Sequence, residues 1–248
     1  MSKSARVAVV VGILALVAGC DAEANGGAAA AATGGKAAGQ SSATKPWTEV
    51  VTATPEGGFR MGNPNAKVKL LEFASLTCPH CKDFHESAFS TIKAKYVASG
   101  DVSYEFRNFV LNGPDYAASL LARCQGAGPF FGLLKAFFDD QASWVEPFTT
   151  LSPDEQKRLG GLPQDQQIAA MAAAGKLDEY VRARGITKAK FDQCLTDPAA
   201  IKTLADLRTQ ATDTYKLTGT PGFIINGKTQ AEVFDWQTLE PKLQAALN

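Results

Sequence analysis

An apolar run, Val68-Lys69-Leu70-Leu71-Glu72-Phe73, leads within five residues to Cys78-Pro79-His80-Cys81, and Lys82 to Ala98 then reads as a helix. The run is strand-like and follows turn chemistry at Asn63-Pro64. On the helix, Phe84, Ala88, Ile92 and Tyr96 fall on or near one face. Gly100-Asp101 ends it, and Val102 to Phe109 alternates as a second strand. Strand, helix, strand in that order predicts a βαβ unit, with parallel pairing and a right-handed crossover. The rest of the chain must fold around a cysteine pair at the junction of that unit. Such a pair has three uses: half of a metal site, a structural staple, or a redox centre that makes and breaks its own disulfide.

Position favours the third use. At the start of a helix, a Cys78 thiolate faces unsatisfied N–H groups and the positive end of the helix dipole. Pro79 suits the first turn, where its missing N–H costs nothing. His80 adds a cation near the sulfur. All three features favour the ionised form, so Cys78 is expected to have a depressed pKa and to be the reactive thiol. A stabilised thiolate makes the disulfide easier to reduce, hence a stronger oxidant. Cys81, one turn later, is less exposed and acts as the resolving thiol. A structural zinc site needs a second pair of ligands at short spacing. The other cysteines of the folded region, Cys124 and Cys194, stand singly, and the only histidines are His80 and His85. Cys81 and His85 are four apart, but two ligands do not make a site, so no metal is expected. His85 reads as a helix-surface residue or a neighbour that modulates the site.

From Pro114 to Lys216 the pattern is helical and broken into short pieces at Gly126, Pro147, Pro163, Gly175, Gly185 and Pro198; its last part, from Pro198, has the composition of one longer helix. Pro221 to Ile225 is an apolar strand, and Asn226-Gly227 is a hairpin signal. Asp235 can cap a final helix, Trp236 to Leu247. There is no convincing internal repeat. The charges balance at 25 of each sign, which gives no support for a nucleic-acid partner.

The N-terminus accounts for the fifth cysteine. Lys3 and Arg6 precede an apolar run from Val7 to Ala18, too short for a comfortable membrane span. Val17-Ala18-Gly19-Cys20 resembles a bacterial lipobox, which implies a leader over 1–19 and a lipidated Cys20. Asp21 resembles an inner-membrane retention signal. The Ala/Gly-rich stretch that follows cannot bury a core and reads, over 20–46, as a flexible tether reaching roughly 30 Å as a random coil.

Leu71-Glu72-Phe73-Ala74-Ser75-Leu76-Thr77-Cys78-Pro79-His80-Cys81, with the distant Gly219-Thr220-Pro221-Gly222-Phe223, resembles the DsbA-type thiol:disulfide oxidoreductases. The resemblance covers most of 60–248 and is loosest through the helical stretch. It implies an α/β thioredoxin fold with an inserted helical domain: a first part over 47–112, the insert over 113–212 and a second part over 213–248. It implies that Thr220-Pro221 is a cis pair beside the cysteines, exposing backbone that pairs with an incoming peptide. It makes Glu72 a buried acid that moves protons to and from Cys81. Because several family members carry a second disulfide in the helical domain, it also implies a structural Cys124–Cys194 bond, in keeping with an exported protein.

The activity so implied is donation of the Cys78–Cys81 disulfide to cysteine-containing exported proteins, without a cofactor, in a periplasmic monomer held at the inner membrane by lipidated Cys20. A quinone-linked membrane partner would reoxidise it. The rivals are a reductase or isomerase on the same fold and a non-catalytic chaperone using the cysteines as metal ligands. A tether with no added dimerising domain argues against the isomerase.

Overall fold

The computed structural model describes residues 45–248; the expected leader, Cys20 and the tether up to residue 44 lie outside them. The core is a mixed sheet of six strands: β1 (Val51–Ala53), β2 (Phe59–Met61), β3 (Val68–Ala74), β4 (Val102–Asn108), β5 (Gly222–Ile225) and β6 (Lys228–Thr229), in the order β1-β2-β4-β3-β5-β6. Only β3 and β4 pair in parallel, from Val68↔Val102 to Ala74↔Asn108; the other neighbours are antiparallel. Helix α1 (Pro79–Thr91) makes the crossover between β3 and β4 and ends in a π-helical segment, Ile92–Val97, rather than continuing as a regular helix. Strands β1 and β2 are not evident in the sequence pattern. Three residues each, they add an antiparallel hairpin onto β4, Phe59 lying opposite Phe106.

Strand β3 is buried on both faces, which is why its sequence reads as a continuous apolar run. The strand period of two sends Val68, Leu70, Glu72 and Ala74 to the larger core, under α1. Leu71 and Phe73 go to the other face, with Phe109, Ala211 and Ile224. Phe84 of α1 meets Phe223 of β5 at 4.6 Å between ring centroids. Full burial of an aromatic of this kind stabilises the fold by about 2–3 kcal/mol.

Between β4 and β5 lie eight α-helices, α2 (Gly113–Arg123), α3 (Ala127–Asp139), α4 (Gln141–Thr149), α5 (Pro153–Gly160), α6 (Gln164–Ala174), α7 (Leu177–Arg182), α8 (Lys188–Thr196) and α9 (Pro198–Thr209), the last running into a π-helical segment, Gln210–Thr214. They are not a detached module. Phe130 of α3 stacks on Phe59 of β2 at 4.1 Å, so block and sheet share one core. Cys124, just past α2, is bonded to Cys194 of α8, with Cα atoms 5.6 Å apart. The β5–β6 turn holds Asn226 at φ 48° and Gly227 at φ 81°, the paired positive angles of a type I′ hairpin. The final helix, α10 (Trp236–Leu247), is capped by Asp235, whose side chain accepts from Thr238 N. The chain is thus an α/β thioredoxin-like fold carrying a large helical insertion.

Candidate active site

The parallel pair β3–β4 and strand β5 bring three loops to one end of the sheet. Cys78 is the N-cap of α1, in extended backbone (φ −81°, ψ 120°), with Pro79 opening the helix. Pro79 and His80 are exposed; Cys78 and Cys81 are buried free thiols. From the opposite side comes the turn before β5, where the Thr220–Pro221 peptide bond is cis and the Cys78 thiol lies 3.5 Å from Thr220 O.

The two thiols are driven apart in acidity. Hydrogen bonding from the Cys81 thiol, above all, lowers Cys78 to about 5; burial opposes this, and the Thr220 side chain and the backbone amides of Cys81 and His80 add to it. The helix N-terminus acts here through individual N–H donors. Cys81 moves the other way: burial, then its bond to Cys78, push its thiol well above the ordinary range. This is the division of labour expected of an attacked thiol and a resolving one.

Glu72 lies directly beneath. It is fully buried in a central strand, and burial pushes its carboxyl up to about 8. Tyr104 of β4 donates to Glu72 Oε2 at 2.5 Å, while Oε1 is buried without a hydrogen-bond partner. The negative charge of Glu72 also raises Cys81, so acid and thiol sense one another. Tyr104 escaped the sequence reading. Its signal is the alternation of β4, which with the register Leu70↔Tyr104 puts it on the face shared by Leu70 and Glu72.

The structure corrects the reading of His85. It is only 3% exposed, not on the helix surface, and its ring stacks on Phe89 at 4.2 Å and lies 4.7 Å from Phe138 of α3. Burial lowers its pKa to about 3, and neither ring nitrogen has a hydrogen-bond partner. It behaves as an aromatic filler between α1 and α3. Among the described residues no group of three or more His, Cys, Asp or Glu side chains is arranged to hold a metal ion.

A family model described as thioredoxin matches residues 54–245. A protein of Rickettsia bellii named as a candidate protein-disulfide oxidoreductase is 27% identical over 192 residues, covering 77% of this chain and 65% of its own length. A counterpart from Rickettsia prowazekii is 26% identical over 204 residues, 81% of this chain and again 65% of its own length. The chain therefore spans just under two thirds of these curated relatives. Among solved structures, a protein-disulfide isomerase from Novosphingobium aromaticivorans superposes with a TM-score of 0.74 at 32% identity, covering 80% of this chain and all of its own. Alpha-DsbA1 of Wolbachia pipientis superposes at 0.60 with 22% identity, over 81% of this chain and 96% of its own, a likeness of fold.

Proposed function

The chain belongs to the thioredoxin family, and on that premise we propose that it is a DsbA-type dithiol oxidase that passes the Cys78–Cys81 disulfide to cysteine-containing exported proteins. A substrate thiolate attacks Cys78 Sγ and breaks the Cys78–Cys81 bond. Cys81 leaves as a thiolate and takes the proton that Glu72 holds below pH about 8. A second substrate thiolate then attacks the substrate sulfur of the mixed disulfide and releases Cys78 as a thiolate. Two substrate thiols lose two electrons and two protons, and the enzyme's disulfide takes up the two electrons. A quinone-linked membrane partner is the proposed acceptor that restores the disulfide. Thr220-Pro221 offers backbone to the substrate segment during exchange. Cys124–Cys194 is proposed to act structurally and outside the exchange.

The observation that carries this reading is the opposite displacement of the two thiols, Cys78 to about 5 and Cys81 upward. Stabilising the reduced form in this way makes the disulfide oxidising. The equilibrium of the full chain with glutathione tests it: an oxidase lies well above the thioredoxin potential of roughly −270 mV. A value at or below that sinks the oxidase and leaves a reductase. Likeness to the Novosphingobium protein-disulfide isomerase favours isomerase activity as the second reading. Recovery of activity from a scrambled-disulfide protein without added oxidant would support it. His80 gives Cys78 a backbone amide, and its exposed ring is proposed to add positive charge; a His80→Ala chain whose Cys78 titrates like the parent's would remove the ring from that role.

A further inference from the structure

Two buried polar residues of the helical block bond to the turn that carries Cys78, and the proposed exchange uses neither. Asp115 of α2 is fully buried. Its Oδ1 accepts from Leu76 N at 3.0 Å and from Ser119 Oγ at 3.2 Å. Its Oδ2 accepts from Ser75 Oγ at 2.6 Å and from Leu111 N at 2.9 Å. Gln141, the first residue of α4, donates through Nε2 to Leu76 O at 2.8 Å and to Cys78 O at 3.0 Å. Both backbone groups of Leu76 are therefore held by the helical block, the N–H by Asp115 and the C=O by Gln141. One carboxylate ties together the loops that leave β3 and β4. Cys78 N closes the turn on Ser75 O at 3.3 Å.

Helix capping does not account for Asp115. The N-cap of α2 is Asn112, whose side chain accepts from Asp115 N, and the Asp115 carboxylate reaches away toward the two loops. Nor is the group there at no cost. Burial pushes it up to about 6 against the pull of its donors, as expected for a charge removed from water. A buried carboxylate whose lone pairs are filled by two loop amides and a loop hydroxyl fixes geometry that an apolar residue cannot.

We propose that Asp115 and Gln141 are positioning residues for the redox pair: they hold the Ser75–Cys78 turn against α1 so that Cys78 Sγ meets its donors. This rests on the reading of Cys78–Cys81 as the exchange centre. Those donors, the Cys81 thiol, the amides of Cys81 and His80 and the Thr220 side chain, lose strength steeply when distance or angle is spoiled. Neither residue makes or breaks a covalent bond. Their effect is on the Cys78 thiolate, and through it on the disulfide's oxidising power.

The test uses the full chain in its reduced form, reading the Cys78 pKa from thiolate ultraviolet absorbance and the equilibrium with glutathione. Gln141→Leu and Asp115→Asn are expected to raise the Cys78 pKa by about one unit, with an equilibrium about tenfold less oxidising. Ser75→Ala, a milder change, shifts both in the same direction and carries the test if Asp115→Asn does not fold. Ser119→Ala removes a bond to Asp115 that comes from α2 and not from the turn; it is expected to lower the thermal midpoint and leave both readouts unchanged. The proposal is overturned if Gln141→Leu and Ser75→Ala lower thermal stability while Cys78 titrates like the parent's, or if Ser119→Ala shifts it equally. Failure of the oxidase reading is a separate result, seen in the parent chain as a Cys78 pKa near 9 or a thioredoxin-like potential.

Discussion

Glu72 and Cys78 titrate in opposite directions for different reasons, and this makes the pH dependence of stability informative. Burial raises Glu72 to about 8, so between the unfolded value and pH 8 the native state binds a proton that the unfolded chain has released. Stability is then complete at low pH and is lost as pH rises toward 8, at up to about 1.4 kcal/mol per pH unit. Cys78, lowered to about 5, has the opposite sign and stabilises increasingly above that pH. In the reduced parent the two slopes oppose each other. A Cys78→Ser chain exposes the Glu72 slope: urea unfolding should show stability falling between pH about 6, above the Asp115 titration, and pH about 8. Adding Glu72→Gln should flatten that window. A slope that survives Glu72→Gln would assign the buried proton elsewhere. The same pair tests the proton transfer. Because Glu72 gives Cys81 its proton as the Cys78–Cys81 bond breaks in the proposed exchange, Glu72→Gln should slow the initial attack at Cys78 most where Glu72 is protonated, below pH about 8, with little effect on the later release of Cys78 by the second substrate thiolate.

At the scale of elements, the Cys124–Cys194 bond closes a loop of 70 residues that spans α3 to α7. A loop of that length is worth about 4 kcal/mol in the chain-entropy model. The double change Cys124→Ser, Cys194→Ser should therefore lower the urea midpoint substantially. The Cys78 titration should stay in place, because its donors come from α1 and the Thr220 turn; a shift of one unit or more would give the second disulfide a part in tuning the first. The sequence made some elements plain and hid others. The strand before Cys78, the helix after it, the Asn226-Gly227 turn and the Asp235 cap each announce themselves through local rules, which act within a few residues. Strands β1 and β2 do not, because three residues hold too little alternation to stand out and the pairing of β2 with β4, which docks their hairpin on the sheet, is set from more than forty positions away. His85 misled for a related reason. Its neighbours Phe84 and Ala88 mark the face toward the sheet, but the adjoining strip of α1 is covered by α3, which no pattern within α1 reveals. Asp115 and Gln141 reach the Cys78 turn across 39 and 65 positions and match no spacing motif.

For the molecule as a whole, the groups among the described residues that set Cys78 and Cys81 lie between Glu72 and Thr220. We propose that redox chemistry and membrane attachment through Cys20 are separable. Cys20 ends a leader-like run in a lipobox-like context, and a stretch of Ala- and Gly-rich composition separates it from Trp47, the start of the first helical turn. A diacylated or triacylated cysteine supplies more than one acyl chain, which crosses the boundary between reversible and stable anchoring. The mature protein extracted from membranes should have an intact mass that begins at Cys20 and includes acyl chains. Cys20→Ala should move the protein to the soluble fraction while its Cys78 pKa and glutathione equilibrium match those of the anchored form. An unmodified N-terminus on membrane-extracted protein would remove the anchor. A soluble Cys20→Ala form with an altered equilibrium would mean that the N-terminal segment reaches the redox site, and that attachment and chemistry are coupled after all.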